Sequence, residues 1–227
     1  MSTINLKNVG YFVPPVPPLM PDNMTLFWDM WNTHKKPLIK TKSDGITDDL
    51  IKNQSQSSPW EGMVVYARDV DSYQKQTAWS QTPILTPSLW NPFIEELHLR
   101  LPWFKTEVIM LWSSTTTIPY HNDTFPLYPG PVAVRSVIYD ENPNPTFRVQ
   151  HDESEQEQFV PYNVDRNIFA FNNVGFKHGA TYEEGKTKIL MRALGTLVYP
   201  NLLLKQIEET KEKGFPIWEV ENVKNSE

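Results

Sequence analysis

Residues 132–150 read VAVRSVIYDENPNPTFRVQ: an apolar run at 132–139, a tract of Asp, Glu, Asn and Pro, then a second run at 146–150. β-Branched and aromatic residues crowd the runs while Pro and Asn punctuate the gap, a pattern that predicts short strands joined by stiff turns. The same texture continues on both sides, with VIMLW at 108–112 upstream and NIFAF at 167–171 and KILMRALGTLVY at 188–199 downstream. One antiparallel, barrel-like sandwich is therefore expected from Val108 to Tyr199. The whole chain carries 20 prolines against 9 glycines, a balance that suits many short strands better than long helices or a Gly-rich phosphate loop.

Outside this core the periodicity changes. Residues 88–101 (SLWNPFIEELHLRL) place Leu89, Phe93, Ile94, Leu97 and Leu101 at helical spacing, with Ser88 as the expected cap and His98 as a structural residue beside the apolar stripe. Residues 23–32 (NMTLFWDMWN) predict a short amphipathic helix, with His34 just beyond it at the surface. A strand is expected at 63–66 (MVVY), and a polar loop at 40–58. Residues 11–21 (YFVPPVPPLMP) predict an extended polyproline arm on the domain surface. A charged amphipathic helix at 201–213 should stop at Gly214. The expected organisation is a single domain over 1–227, with arm, helices and supporting strands in 1–105, the β core in 106–200, and a C-terminal helix and tail in 201–227.

With 227 residues, 39% of them hydrophobic, the chain can build one full core. Its net charge of -6, from 21 basic and 27 acidic residues, gives no broad basic field to draw it onto nucleic acid. No run of about 18 apolar residues occurs and the first ten residues lack a secretory layout, so a cytoplasmic protein without a membrane span is expected. Cysteine is absent. Thiolate metal sites, disulfides and cysteine nucleophiles are thereby excluded, and any metal must sit on His, Asp or Glu.

Residues 118–124 read IPYHNDT, placing His121 and Asp123 at i and i+2, on one face at the end of a β-run. His178 follows 57 residues later in FNNVGFKHGA, between two predicted strands. Two imidazoles and one carboxylate can occupy one face of an octahedron and leave positions open for a cosubstrate and O2, a donor set that fits iron better than zinc. Lys188 and Arg192 then share one face of a strand, and either cation can clamp a dicarboxylate; the planar guanidinium favours Arg192. Arg135, inside an apolar strand, is either a structural ion-pair member or a contact to substrate or cosubstrate. Tyr120, Asn172 and Asn173 are candidate pocket residues, and Trp103 and Trp112 are expected in the core. His151 and Asp152 stand in HDESEQEQ, which reads as a solvated loop rather than a second metal site.

In this order, His121, Asp123, His178 and then Lys188 or Arg192, the chain resembles the 2-oxoglutarate and iron(II)-dependent oxygenase superfamily over roughly residues 106–200. Within it, PYHND, VAVRSVIYDENPNPTFRVQ and FAFNNVGFKHGATYEEGKTKILMRAL look most like the aspartyl/asparaginyl β-hydroxylase branch, although Asp123 and the position of Arg192 depart from that branch. The resemblance implies a double-stranded β-helix core, iron(II) and 2-oxoglutarate as cofactors, and hydroxylation of a small molecule or peptide side chain. Two other readings stay open: a cupin-like metalloenzyme that uses the same ligands without 2-oxoglutarate, and a non-catalytic jelly-roll binding or assembly protein.

Overall fold

The structure is a computed structural model and describes residues 6–37, 60–68, 87–114, 117–122, 132–183 and 185–220. The loop expected at 40–58 and the candidate ligand Asp123 lie outside the described residues. The strands are β1 (Val9–Phe12), β2 (Lys36–Pro37), β3 (Trp60–Ala67), β4 (Phe104–Ser114), β5 (Ile118–His121), β6 (Val132–Asp140), β7 (Phe147–His151), β8 (Glu157–Phe159), β9 (Ile168–Asn172), β10 (Phe176–Ala180), β11 (Lys188–Leu197) and β12 (Ile217–Glu219). The helices are α1 (Met24–His34), α2 (Pro87–Arg100) and α3 (Pro200–Glu212).

From β4 onwards the chain passes back and forth between two antiparallel sheets. One has the order β12-β1-β9-β6-β11-β4-β3-β2, the other β5-β10-β7-β8. The strands β4, β6, β9 and β11 of the first thus stand against the four strands of the second, which is the double-stranded β-helix, a mainly β jelly-roll architecture. Side-chain alternation explains the layering. On β11, Ile189, Met191 and Ala193 pack with Phe27 and Trp31 of α1, Trp90 and Leu97 of α2, and Leu203 and Ile207 of α3. The intervening Leu190 and Leu194 join Ile118 of β5 and Ala180 of β10, while Phe169 and Phe171 of β9 meet Phe147 of β7 and Phe176 of β10. A helix layer therefore covers one face of the large sheet and the small sheet covers the other.

Several expectations shift. The Pro-rich segment is not a surface arm along its whole length: Tyr11 and Phe12 lie in β1 between β12 and β9, and Leu19 is buried at the other end. Asn167 holds that end, donating to the Leu19 carbonyl and accepting from the Leu19 N–H, each at 2.8 Å. The sandwich also recruits β1–β3 and β12 from outside residues 108–199. Helix α2 begins at Pro87, which puts Ser88 inside it rather than at its cap. The polar tract after His151 makes a turn into β8, so it is only partly loop. His98 accepts the Thr106 N–H at 3.2 Å, a structural link between α2 and β4. Helix α3 ends as expected, with Gly214 at φ 67 and the Phe215 N–H closing onto the Thr210 carbonyl.

Candidate metal centre

His178 lies within β10 rather than in a connection between strands, and its Cα partner on β5 is His121. The next partners are Ala180 and Ile118, so β5 carries an extra residue between them, a β-bulge. The bulge turns both Ile118 and His121 to the interior, where they line one small cavity with His178. The two imidazole rings are 4.3 Å apart between centroids, at 52°. The close approach needs a glycine beside His178, because a Cβ on Gly179 would lie 2.7 Å from the Ile118 carbonyl oxygen.

Each ring is oriented by its surroundings. His121 Nδ1 stands 2.9 Å from the Pro119 carbonyl, which can only accept, so Nδ1 carries the proton and Nε2 the lone pair. His178 is buried; Phe147 stacks on it at 5.6 Å and 19°, and Phe171 meets it at 4.7 Å. Fixing the tautomer and the plane of a ring through its neighbours is how proteins prepare imidazole metal ligands. The cavity between them is about 20 Å³, with Trp112, Leu190 and Tyr182 among its walls, room for a single ion or water. Among the described residues no group of three or more His, Asp or Glu side chains is gathered for a metal; Asp123, the third member of the sequence set, lies outside them.

Among the described residues, three cationic side chains sit on the inner face of the large sheet. Arg135 lines the cavity, is 2% exposed and lies 5.0 Å over the Phe171 ring. Arg192, directly opposite it on β11, is buried and lies 5.9 Å over Trp112. Lys188 is fully buried, and its Nζ donates to Thr146 Oγ1 at 2.5 Å and to the Tyr162 hydroxyl oxygen at 3.2 Å. That Nζ is also 5.3 Å from the Tyr182 ring and 6.0 Å from Phe147, two walls of the cavity. Burial pulls its pKa down from 10.5 to about 7, against the opposing pull of Asp140.

The remaining candidates fall elsewhere. The Tyr120 hydroxyl donates to Glu157 and its ring stacks under Arg148 at 4.3 Å, so it faces away from the cavity; burial and Glu157 raise its pKa. Asn172 caps the following turn through the Val174 N–H at 2.9 Å and borders a separate apolar cavity of about 210 Å³ with Leu6 and Leu203. His151 Nδ1 bonds Ser154 in a turn at 2.9 Å. Trp103 and Trp112 are both buried. Thr146, Tyr162 and Asp140, which surround Lys188, carry no local signal in the sequence; only the fold brings them to that ammonium.

No family model matches the chain, and no curated protein matches it. Solved structures are similar to the chain at low identity and low TM-score. A protein described as an oxygenase from Shewanella oneidensis is 11% identical, over 92% of this chain and 93% of that one, with a TM-score of 0.40. A prolyl-4-hydroxylase from Pseudomonas putida is 8% identical over 77% and 98%, with a TM-score of 0.35. A prolyl hydroxylase from Trichoplax adhaerens, in complex with a hypoxia inducible factor peptide fragment, is 10% identical over 73% and 86%, with a TM-score of 0.34. These likenesses carry no chemistry to His121 or His178. Among the described residues no helix is long and apolar enough to cross a membrane.

Proposed function

We propose that the chain is an iron(II)- and 2-oxoglutarate-dependent oxygenase that hydroxylates an unactivated C–H bond of a small molecule or a peptide side chain. The observation that supports this most is the direct opposition of His121 and His178 across β5 and β10, inside the jelly roll, on the sheet that faces the one bearing Lys188. The donor set fits the metal: an Nε2 lone pair on His121, a ring-walled His178, and Asp123 at i+2 from His121 as the carboxylate. When bound, iron(II) with 2-oxoglutarate supplies an oxidant strong enough to remove hydrogen from carbon, with the cosubstrate decarboxylated to succinate.

The chain's own residues bind, orient and exclude water. Lys188 is the preferred anchor for the distal carboxylate of the cosubstrate. Two of its ammonium's three donors go to Thr146 Oγ1 and the Tyr162 hydroxyl oxygen, and these two contacts fix the direction of the third. Arg192 keeps the advantage of its planar fork, and with Arg135 it adds positive charge to the same face. Trp112, Phe147, Leu190 and Tyr182 keep the site dry, which strengthens every charge interaction inside it.

The test is optical. Purified protein held without oxygen and given iron(II) and 2-oxoglutarate should develop a weak visible metal-to-ligand charge-transfer band, and His178→Ala should lose it. A wild-type protein that binds iron(II) yet forms no 2-oxoglutarate-dependent band belongs instead with the metalloenzymes that do without that cosubstrate.

A further inference from the structure

Lys188 is the last visible link of a hydrogen-bonded series that begins at Asp140. Tyr162 donates its one proton to Asp140 Oδ2 at 2.9 Å. Its oxygen is thereby left facing Lys188 as an acceptor, and it also receives the Thr146 N–H at 2.9 Å. Asp140 is itself held, since its Oδ1 accepts both the Asn142 N–H at 2.9 Å and the Asn142 side-chain amide at 2.8 Å. Tyr162 is 7% exposed and, with Asp140, lines a cavity of about 500 Å³ that is separate from the one lined by His121 and His178. Among the described residues, Asp140 is the only acidic side chain bordering that cavity.

From these contacts we infer that Asp140 is a positioning residue: acting through the Tyr162 hydroxyl, it holds the Lys188 ammonium in place and in its charged form to receive the cosubstrate's carboxylate. The physical reason lies in the hydroxyl's orientation. A phenol that gives its proton to a carboxylate must present lone pairs to the ammonium, and these favour Lys-NH3+ over the neutral amine. Without the carboxylate's charge, the phenol proton is free to turn toward Thr146 or Lys188 and oppose the ammonium. The groups facing Lys188 from the packed elements are Asp140 on β6, Thr146 before β7, Tyr162 before β9 and Tyr182 after β10, with Arg192 on its own face of β11. Asp140 is the only carboxylate among them. Burial lowers the Lys188 pKa and the charge on Asp140 opposes that shift.

This inference rests on reading Lys188 as the cosubstrate anchor, and two measurements separate the two claims. The first follows the Lys188 Nζ resonance through neutral pH in the metal-free full-length chain, identified by its loss in Lys188→Met. In both Asp140→Asn and Tyr162→Phe the titration midpoint should move down by about one pH unit, a tenfold change in protonation. The second titrates 2-oxoglutarate into the iron(II)-loaded protein. Each variant should weaken binding about tenfold near neutral pH, raise KM for 2-oxoglutarate more than it lowers kcat, and move the pH at which binding fails toward acid. The double variant should cost no more than either single one, because the two residues act in series. Asp140→Asn keeps the shape and a hydrogen-bond acceptor, so it guards against simple misfolding. A Lys188 midpoint that ignores Asp140→Asn overturns the inference. If the midpoint moves while wild-type protein binds no 2-oxoglutarate, the positioning of Lys188 by Asp140 stands and the cosubstrate reading falls.

Discussion

Lys188 shows how much a single residue can cost and supply. Its pKa of 10.5 in the unfolded chain falls to about 7 in the folded one. Between those values the unfolded chain holds a proton that the native chain does not, so this group's contribution to stability rises with pH over that window. Below pH 7 the lysine is charged in both states and the full desolvation cost remains. Replacing it with Met should therefore stabilise the protein relative to wild type, by about 1–4 kcal/mol by analogy with buried ionic groups exchanged for apolar ones. The gain should be largest below pH 7 and shrink as pH rises, as paired denaturant titrations at several pH values would reveal. The same variant should lose 2-oxoglutarate binding; if it kept it, Arg192 would be the anchor. In wild-type protein, binding of 2-oxoglutarate should weaken as pH rises through 7 unless the carboxylate itself restores the proton. His178 makes the complementary case at this scale, since the sequence could place it between two predicted strands but not show that Phe147 and Phe171 would wall its ring.

At the scale of the element, the pairing of β5 with β10 makes the site. Gly179 is where that pairing is tightest, and Gly179→Ala should push the Ile118 carbonyl away and separate the two histidines. The expected result is a 10- to 100-fold loss of metal affinity, in the range seen when the supports of metal ligands are removed, with a stability cost of about 1–3 kcal/mol. Isothermal titration with a divalent metal and thermal melts would measure both. Gly175 provides the contrast: it sits at φ 81 in the turn between β9 and β10 with open space around it. Gly175→Ala should cost about 1–2 kcal/mol of backbone strain and leave metal binding intact. Strands such as β11 were legible because their apolar runs are long and bounded by turns. β10 was not, since FKHGA mixes a charge, a histidine and a glycine and becomes a strand only between two partners. β8 was missed for the same reason: EQF has neither the length nor the apolar content, and pairing with β7 alone makes it extended.

At the scale of the whole molecule, Asn167 ties residues 148 positions apart. Its side chain satisfies both backbone groups of Leu19 and also donates to the Val137 carbonyl at 3.1 Å. Truncation to Ala would strand the buried Leu19 N–H, while the Leu19 carbonyl keeps the Ser136 hydroxyl at 3.2 Å, so Asn167→Ala should lower unfolding free energy by about 1–3 kcal/mol and expose the Pro-rich segment to protease without changing metal affinity. A variant as stable as wild type would show that water replaces the clamp. Among the described residues, helices cover one face of the large sheet and the second sheet covers the other, which leaves the candidate site between the two sheets, where fixed donors and cations act more strongly than in water. By itself the sequence determined the jelly-roll class, the helices and the order of candidate ligands, because alternation, turn residues and residue chemistry are local properties. Tertiary structure decided which of those residues meet. Register across β5 and β10 set His121 against His178, and the convergence of β6, β7 and the segment before β9 gave Lys188 its two hydroxyls and, through Tyr162, Asp140. Those contacts depend on sheet pairing between distant segments, which no local pattern encodes.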